Sequence, residues 1–130
     1  MIVVDASAIL EALLQSPAAA AVEERLFEEE PPLHAPHLID LEATQVLRRY
    51  AAIRLIEAAR CREALDALRD FPLRRHPHDV LLPRVWELRH NLTAYDAAYV
   101  ALAEALDATL LTRDRRLAAA PGHRALVELV

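Results

Sequence analysis

A chain of 130 residues has the length of one domain, and with 55% hydrophobic residues it buries a core without disulfides or a structural metal. Its one cysteine, Cys61, excludes an internal disulfide framework and a cysteine-rich zinc site, and suits a reducing compartment. The net charge of −5 arises in residues 1–65, which hold 11 acids and 6 arginines, whereas residues 66–130 hold 9 of each; it argues only weakly against a nucleic-acid partner.

The opening MIVVDASAILEALL has no basic lead and contains Asp5 and Glu11, which argues against a signal peptide. No run approaches the roughly 20 apolar residues of a membrane span, so a cytoplasmic protein is expected. Ile2-Val3-Val4 reads as a short strand, and residues 7–15 as a helix. Pro17 precedes a second helix over residues 18–29, which Pro31-Pro32 ends. Residues 33–36 are extended. A helix over residues 38–50 places Leu38, Leu41, Val46, Leu47 and Tyr50 at helical spacing. The next, over residues 55–71, has Ile56, Ala59, Leu65 and Leu68 as its expected buried stripe. A strand at 73–76, helices over 80–90 and 94–106, a strand at 109–112, a short helix over 115–119 and a last strand at 125–130 complete the chain.

Strands alternate with helices, and hairpin turns rich in glycine are absent. Parallel neighbours need helical crossovers, so the pattern predicts an α/β fold with a short-stranded parallel sheet and helices on both faces. In such a sheet the strand C-termini share one edge, where ligands bind. Asp5 follows the first strand directly, and Asp114 comes two residues after Thr112. Asp96 lies in the first turn of the helix opened by Thr93, and Glu42 in the first turns of the helix that begins near Leu38.

Each acid also has a local explanation. Asp5 and Asp114 suit helix N-caps, Thr93-Ala94-Tyr95-Asp96 resembles a capping box, and Glu42 suits a solvated helix face. Gathered at one edge, however, carboxylates repel one another. Helix N-termini offset only about 0.3–1 kcal/mol each when exposed. A hard divalent cation, Mg²⁺ or Mn²⁺, is the usual compensation for such an oxygen-only set, and hydrolysis of a phosphodiester is its natural use.

Three segments, VVDASAILEALL, LIDLEATQVLRR and LTAYDAAYVALAEALDATLLTRDRRLA, resemble the signature segments of PIN-domain proteins, and among these the VapC-type toxins of type II toxin–antitoxin systems. The resemblance covers residues 1–130 as one PIN domain with a three-layer α/β/α fold. It implies an Mg²⁺-dependent endoribonuclease (Mn²⁺ as an alternative) acting on tRNA or rRNA, inhibited by a VapB-type antitoxin and assembled as a homodimer. Its catalytic acids fall on Asp5, Glu42, Asp96 and Asp114, with Asp5, Asp96 and Asp114 as the metal ligands. Ser7 and Thr112 match the hydroxyl residues that often support the site. Many relatives carry another acid where this chain has Arg116, so one tightly held metal is expected in the free protein. An arginine of the antitoxin is expected to reach the acidic site.

Arg113, Arg115 and Arg116 flank Asp114 and suit bidentate contacts with RNA phosphates, or simply neutralise the acids. Arg48 and Arg49 belong to the same rim or to an antitoxin surface. The pairs His34/His37 and His76/His78 suggest metal ligation by spacing but lie beside prolines and read as surface residues. Trp86 and Tyr95 read as packing residues rather than base-stacking platforms, with Tyr95 close enough to Asp96 to merit a test. The helices around residues 18–27 and 55–68 carry apolar faces that serve the core or receive an antitoxin segment. All 15 basic residues are arginine, which excludes the lysine of a phosphate-receiver domain. One glycine, Gly122, excludes a P-loop or dinucleotide fingerprint. The alternative to a nuclease is a catalytically silent PIN fold that binds protein or RNA.

Overall fold

The computed structural model describes every residue except Glu29 and Pro31. Five strands, β1 (Ile2–Val4), β2 (Leu33–Pro36), β3 (Leu73–His76), β4 (Thr109–Thr112) and β5 (Leu126–Leu129), form one sheet in the order β3-β2-β1-β4-β5. Every neighbouring pair is parallel. The helices that flank it are α1 (Ala6–Leu13), α2 (Ala19–Leu26), α3 (Ile39–Ala52), α4 (Ala58–Asp70), α5 (Leu82–Glu87), α6 (Ala94–Leu106) and α7 (Arg115–Ala119).

All three residues of β1 are buried, as befits a strand covered on both faces. From β1 the strand order runs outwards to β2 and β3 on one side and to β4 and β5 on the other. The reversal falls between β1 and β4, and a crevice opens beyond the strand ends at such a point. Ile2, Val3 and Val4 lie opposite Thr109, Leu110 and Leu111. The next residues, Asp5 and Thr112, therefore leave the sheet side by side. Helix α6 buries every residue from Ala97 to Tyr99 and on to Ala103, so it is a central helix rather than a surface one. It stops at Asp107, whose φ of 51° is the left-handed conformation that closes a helix.

Several sequence expectations need correction. The second helix ends at Leu26, short of residue 29; the expectations at Glu29 and Pro31 lie outside the described residues. Helix α3 buries Ile39, Ala43 and Leu47, which leaves Leu41 off that stripe and 76% exposed. Helix α4 begins after Glu57 and buries Cys61, Ala64 and Leu68; Ile56 precedes it, and Ala59 is exposed. The expected helix over residues 80–90 is a 3-10 turn, Asp79–Leu81, followed by the six residues of α5, in which Pro83 occupies the first turn. Helix α5 has no buried residue, so Trp86 is exposed, with the Arg89 guanidinium 4.5 Å from its ring centre. Tyr95 is exposed as well, because the buried part of α6 starts only at Ala97.

The histidines also depart from a surface reading. His34 sits on β2 next to Val3 and is buried; its Nδ1 lies 2.9 Å from His76 Nε2 on β3. One ring donates to the other, and burial together with the neighbouring arginine, Arg74, holds both below the usual histidine range. His78 Nε2 accepts the Leu38 N–H at 3.0 Å, at the entrance to α3. His37 alone of the four is exposed.

Candidate active site

Asp5 ends β1 and caps α1. Its Oδ1 accepts the Ala8 N–H at 3.0 Å and the Ser7 hydroxyl at 2.7 Å, and its Oδ2 accepts the Thr112 hydroxyl. The side chain is thus a helix cap and a buried carboxylate at once, with only 6% of the residue exposed. Burial raises its pKa; the bonds from Thr112, Ser7 and Ala8 oppose that rise, and the Asp96 charge adds to it.

Ser7 and Thr112 tie two distant turns together. The Thr112 hydroxyl accepts the Asp114 N–H at 2.9 Å while donating to Asp5. The Ser7 oxygen accepts the Arg113 N–H at 2.9 Å and lies 3.3 Å from the Thr112 oxygen. The Asp5 N–H completes the junction by donating to the Leu111 carbonyl at 3.2 Å. Asp114 then caps α7, its Oδ1 accepting the Arg116 N–H at 2.8 Å and, more weakly, the Leu117 N–H at 3.4 Å.

Asp96 is the third residue of α6, held where the Thr93 side chain accepts its N–H at 3.2 Å. Its pKa is raised by burial and by the charge of Asp114, against an opposing pull from Arg116. Glu42 sits in the first turns of α3 and accepts the Tyr99 hydroxyl at 2.5 Å. Burial lifts its pKa, the Tyr99 bond lowers it, and Asp96 and Asp5 lift it again. Tyr99 is fully buried, and burial together with the Glu42 charge pushes its hydroxyl far above the usual tyrosine range, so it remains a donor. Sequence reasoning missed Tyr99; the available signal was its place one helical turn after Asp96.

One cleft of about 650 Å³ gathers these groups: Asp5, Ser7, Glu42, Asp96 and Asp114 all line it. Thr112, fully buried, stands behind it. Arg113 lines the cleft, its Nε 3.8 Å from Glu11 and its Nη1 donating to the Val130 carbonyl. Arg115 and Arg116 are outside it; Arg116 is 95% exposed, its Nε 3.9 Å from Asp114. Arg49 lines the cleft further along α3, whereas Arg48 is not part of the lining and donates to Gln45, which is.

The donors are all oxygens and carry more negative charge than their surroundings neutralise, which is the chemistry a hard divalent cation fits. Among the described residues no three carboxylates converge into a ready-made cage. Such a site suits a cation held by one or two carboxylates with water completing its shell, the habit of Mg²⁺.

The molecule is thus of the parallel α/β class with a cleft lined by four carboxylates at its switch point, and the PIN domain family model matches residues 2–122. The chain belongs to the PIN-domain family. It is similar to Ribonuclease VapC1 of Mycobacterium tuberculosis, at 48% identity over 129 residues that cover 98% of this chain and 96% of that one. Among solved structures, PAE2754 from Pyrobaculum aerophilum matches with a TM-score of 0.69 at 28% identity, covering 97% of this chain and 81% of the other. VapBC2 from Rickettsia felis, bound to a DNA fragment from their promoter, shares the fold with a TM-score of 0.72 at 15% identity, over 100% and 99% of the two chains.

Proposed function

We propose that the chain is an endoribonuclease toxin that hydrolyses RNA phosphodiester bonds with Mg²⁺ or Mn²⁺ and is silenced by a VapB-type antitoxin. The observation that carries this reading is the meeting of Asp5, Glu42, Asp96 and Asp114, from four separate elements, in one cleft. Three of them have pKa values raised by burial and reinforced by one another's charge. Helix capping explains one acid at a time and leaves that mutual repulsion unexplained.

Asp5, Asp96 and Asp114 would hold the cation, one or two of them directly and the rest through its water shell. When bound, it supplies positive charge that eases ionisation of water and offsets charge on the phosphoryl oxygens. Glu42 orients the attacking water and accepts its proton, in a position fixed by the Tyr99 hydroxyl. Water attacks phosphorus in line, the P–O3′ bond breaks, and the departing 3′-oxygen takes a proton, leaving a 5′-phosphate and a 3′-hydroxyl. Ser7 and Thr112 fix the Asp5 carboxylate and do no chemistry themselves. Arg113, Arg115 and Arg116 meet phosphates along the strand.

The relatives named ribonucleases support RNA as substrate. The shared fold of a VapBC complex supports an antitoxin partner. Homodimerisation has support from the exposed apolar side chains of Val80, Leu82 and Trp86, gathered on the 3-10 turn and α5. Among the described residues no helix is long and apolar enough to cross a membrane, which accords with action in the cytoplasm. The test is cleavage of RNA by antitoxin-free protein with Mg²⁺, Mn²⁺ or EDTA. Asp5→Asn and Asp96→Asn are expected to abolish cleavage while leaving the protein folded; full activity in either variant overturns the assignment.

A further inference from the structure

Two exposed side chains in the cleft have no part in the hydrolysis. Tyr95 precedes Asp96, and Leu41 precedes Glu42; they are 66% and 76% exposed, and both line the same cleft as the acids. The Tyr95 side chain makes no hydrogen bond, ring contact or cation contact with the described residues. Its neighbour is therefore water or a ligand. A phosphate seated at the carboxylates brings a nucleoside on each side, and the walls beside the acids must receive one of them. An apolar wall offers nothing to a ribose hydroxyl or a phosphate, but an aromatic ring offers a base a stacking face of the kind single-strand binders use.

We propose that Tyr95, with Leu41 alongside, forms a slot that stacks one unpaired nucleobase adjacent to the scissile phosphate. The proposal rests on the RNA-hydrolase reading above. Arg49, seven residues beyond Glu42 on α3, lines the same cleft about 10 Å further along the helix axis. Its guanidinium, 5.9 Å from the Tyr50 ring centre, offers a planar cation to a phosphate further along the strand. A base inside a continuous stack cannot enter such a slot. Substrate choice then falls on loops, bulges and single strands, whose bases are free to splay out.

The test uses the full chain and short RNA oligonucleotides in three forms: natural, abasic on one side of the cleaved bond, and carrying 2-aminopurine at that position. Tyr95→Ala is expected to raise KM for natural RNA roughly tenfold with kcat little changed, and Tyr95→Phe to behave as wild type. On abasic RNA, wild type and Tyr95→Ala should become equal. In EDTA, wild type should quench 2-aminopurine and Tyr95→Ala should not. An unchanged KM in Tyr95→Ala overturns the slot, and so does a loss of equal size on abasic RNA, which would mark a structural role. Unchanged RNA kinetics with weakened antitoxin inhibition also overturns it and assigns the wall to a peptide. If wild type fails to cleave but still quenches through Tyr95, the hydrolase reading falls and the slot stands. If it neither cleaves nor quenches, both fall.

Discussion

Deleting a single oxygen, the Tyr99 hydroxyl, isolates what tunes Glu42. Burial raises the Glu42 pKa, the Tyr99 bond at 2.5 Å pulls it down, and the charges of Asp96 and Asp5 push it up again. Tyr99→Phe leaves the ring in its buried seat and removes only the opposing pull. A hydrogen bond to a charged group contributes about 1.5–3 kcal/mol. Glu42 is only half-buried, so water recovers part of that, and the lower end applies. A loss of about 1.5 kcal/mol corresponds to roughly tenfold less ionised Glu42 at any pH on the acidic limb. The assay is kcat/KM for an RNA oligonucleotide across the pH range at saturating Mg²⁺. The acidic limb should move to higher pH, with rates on it falling about tenfold and plateau rates falling far less. An unmoved limb refutes the reasoning. So does an equal loss at every pH, which would show that Tyr99 positions Glu42 without setting its protonation.

The raised pKa values of Asp5, Glu42 and Asp96 also bear on stability. Between the ordinary carboxylate range and the raised values, the folded protein binds more protons than the unfolded chain. Stability of the cation-free protein therefore falls as pH rises through that window and levels off above it. Thermal melts should show Mg²⁺ stabilising more at about pH 8 than at about pH 5, relative to EDTA, because the cation binds the ionised folded state; equal gains at both pH values contradict this. Away from the site, Arg84 holds Glu104 with two bonds, Nε to Oε2 at 2.7 Å and Nη2 to Oε1 at 3.0 Å, and the Glu104 side chain is 2% exposed. Arg84→Ala leaves that carboxylate with only the Arg124 N–H, at a cost of about 2–3 kcal/mol, tempered by the partial exposure of Arg84. Urea unfolding measures it, and Arg84→Met with Glu104→Leu should recover most of the loss. The Arg84 bonds hold the Glu104 pKa down, so this contribution is present above the ordinary glutamate range and fades as pH falls through the lowered value.

The four acids were legible because each coincides with a feature that is local in sequence. Asp5 and Asp114 follow short apolar strands, and Asp96 and Glu42 open helices with apolar faces. The parallel alternation then puts all four at one sheet edge without any need for contacts. Tyr99 was not legible, since its partner lies 57 residues away and a buried tyrosine in an alanine-rich helix reads as packing. Leu41, Tyr95 and Trp86 were misjudged because apolar periodicity does not distinguish a core from the wall of a cleft or an uncovered helix. The phase of α4 slipped for a related reason: alanine and leucine occur on several of its faces, and the contacts of Cys61, Ala64 and Leu68 decide which one is buried. His34 and His76 become partners only once β2 and β3 lie side by side, a pairing that no local pattern encodes.

The junction of Asp5, Ser7, Thr112 and the Leu111 carbonyl also sets an order of events during synthesis. Asp5 is among the first residues made, but two of its anchors, the Thr112 hydroxyl and the Leu111 carbonyl, come more than 100 residues later. Until β4 pairs with β1, the Asp5 carboxylate has only its local anchors, the Ala8 N–H and the Ser7 hydroxyl, and Oδ2 lacks its Thr112 partner. The cleft to which the proposed function assigns the chemistry is complete only when the last quarter of the polypeptide closes onto the first strand.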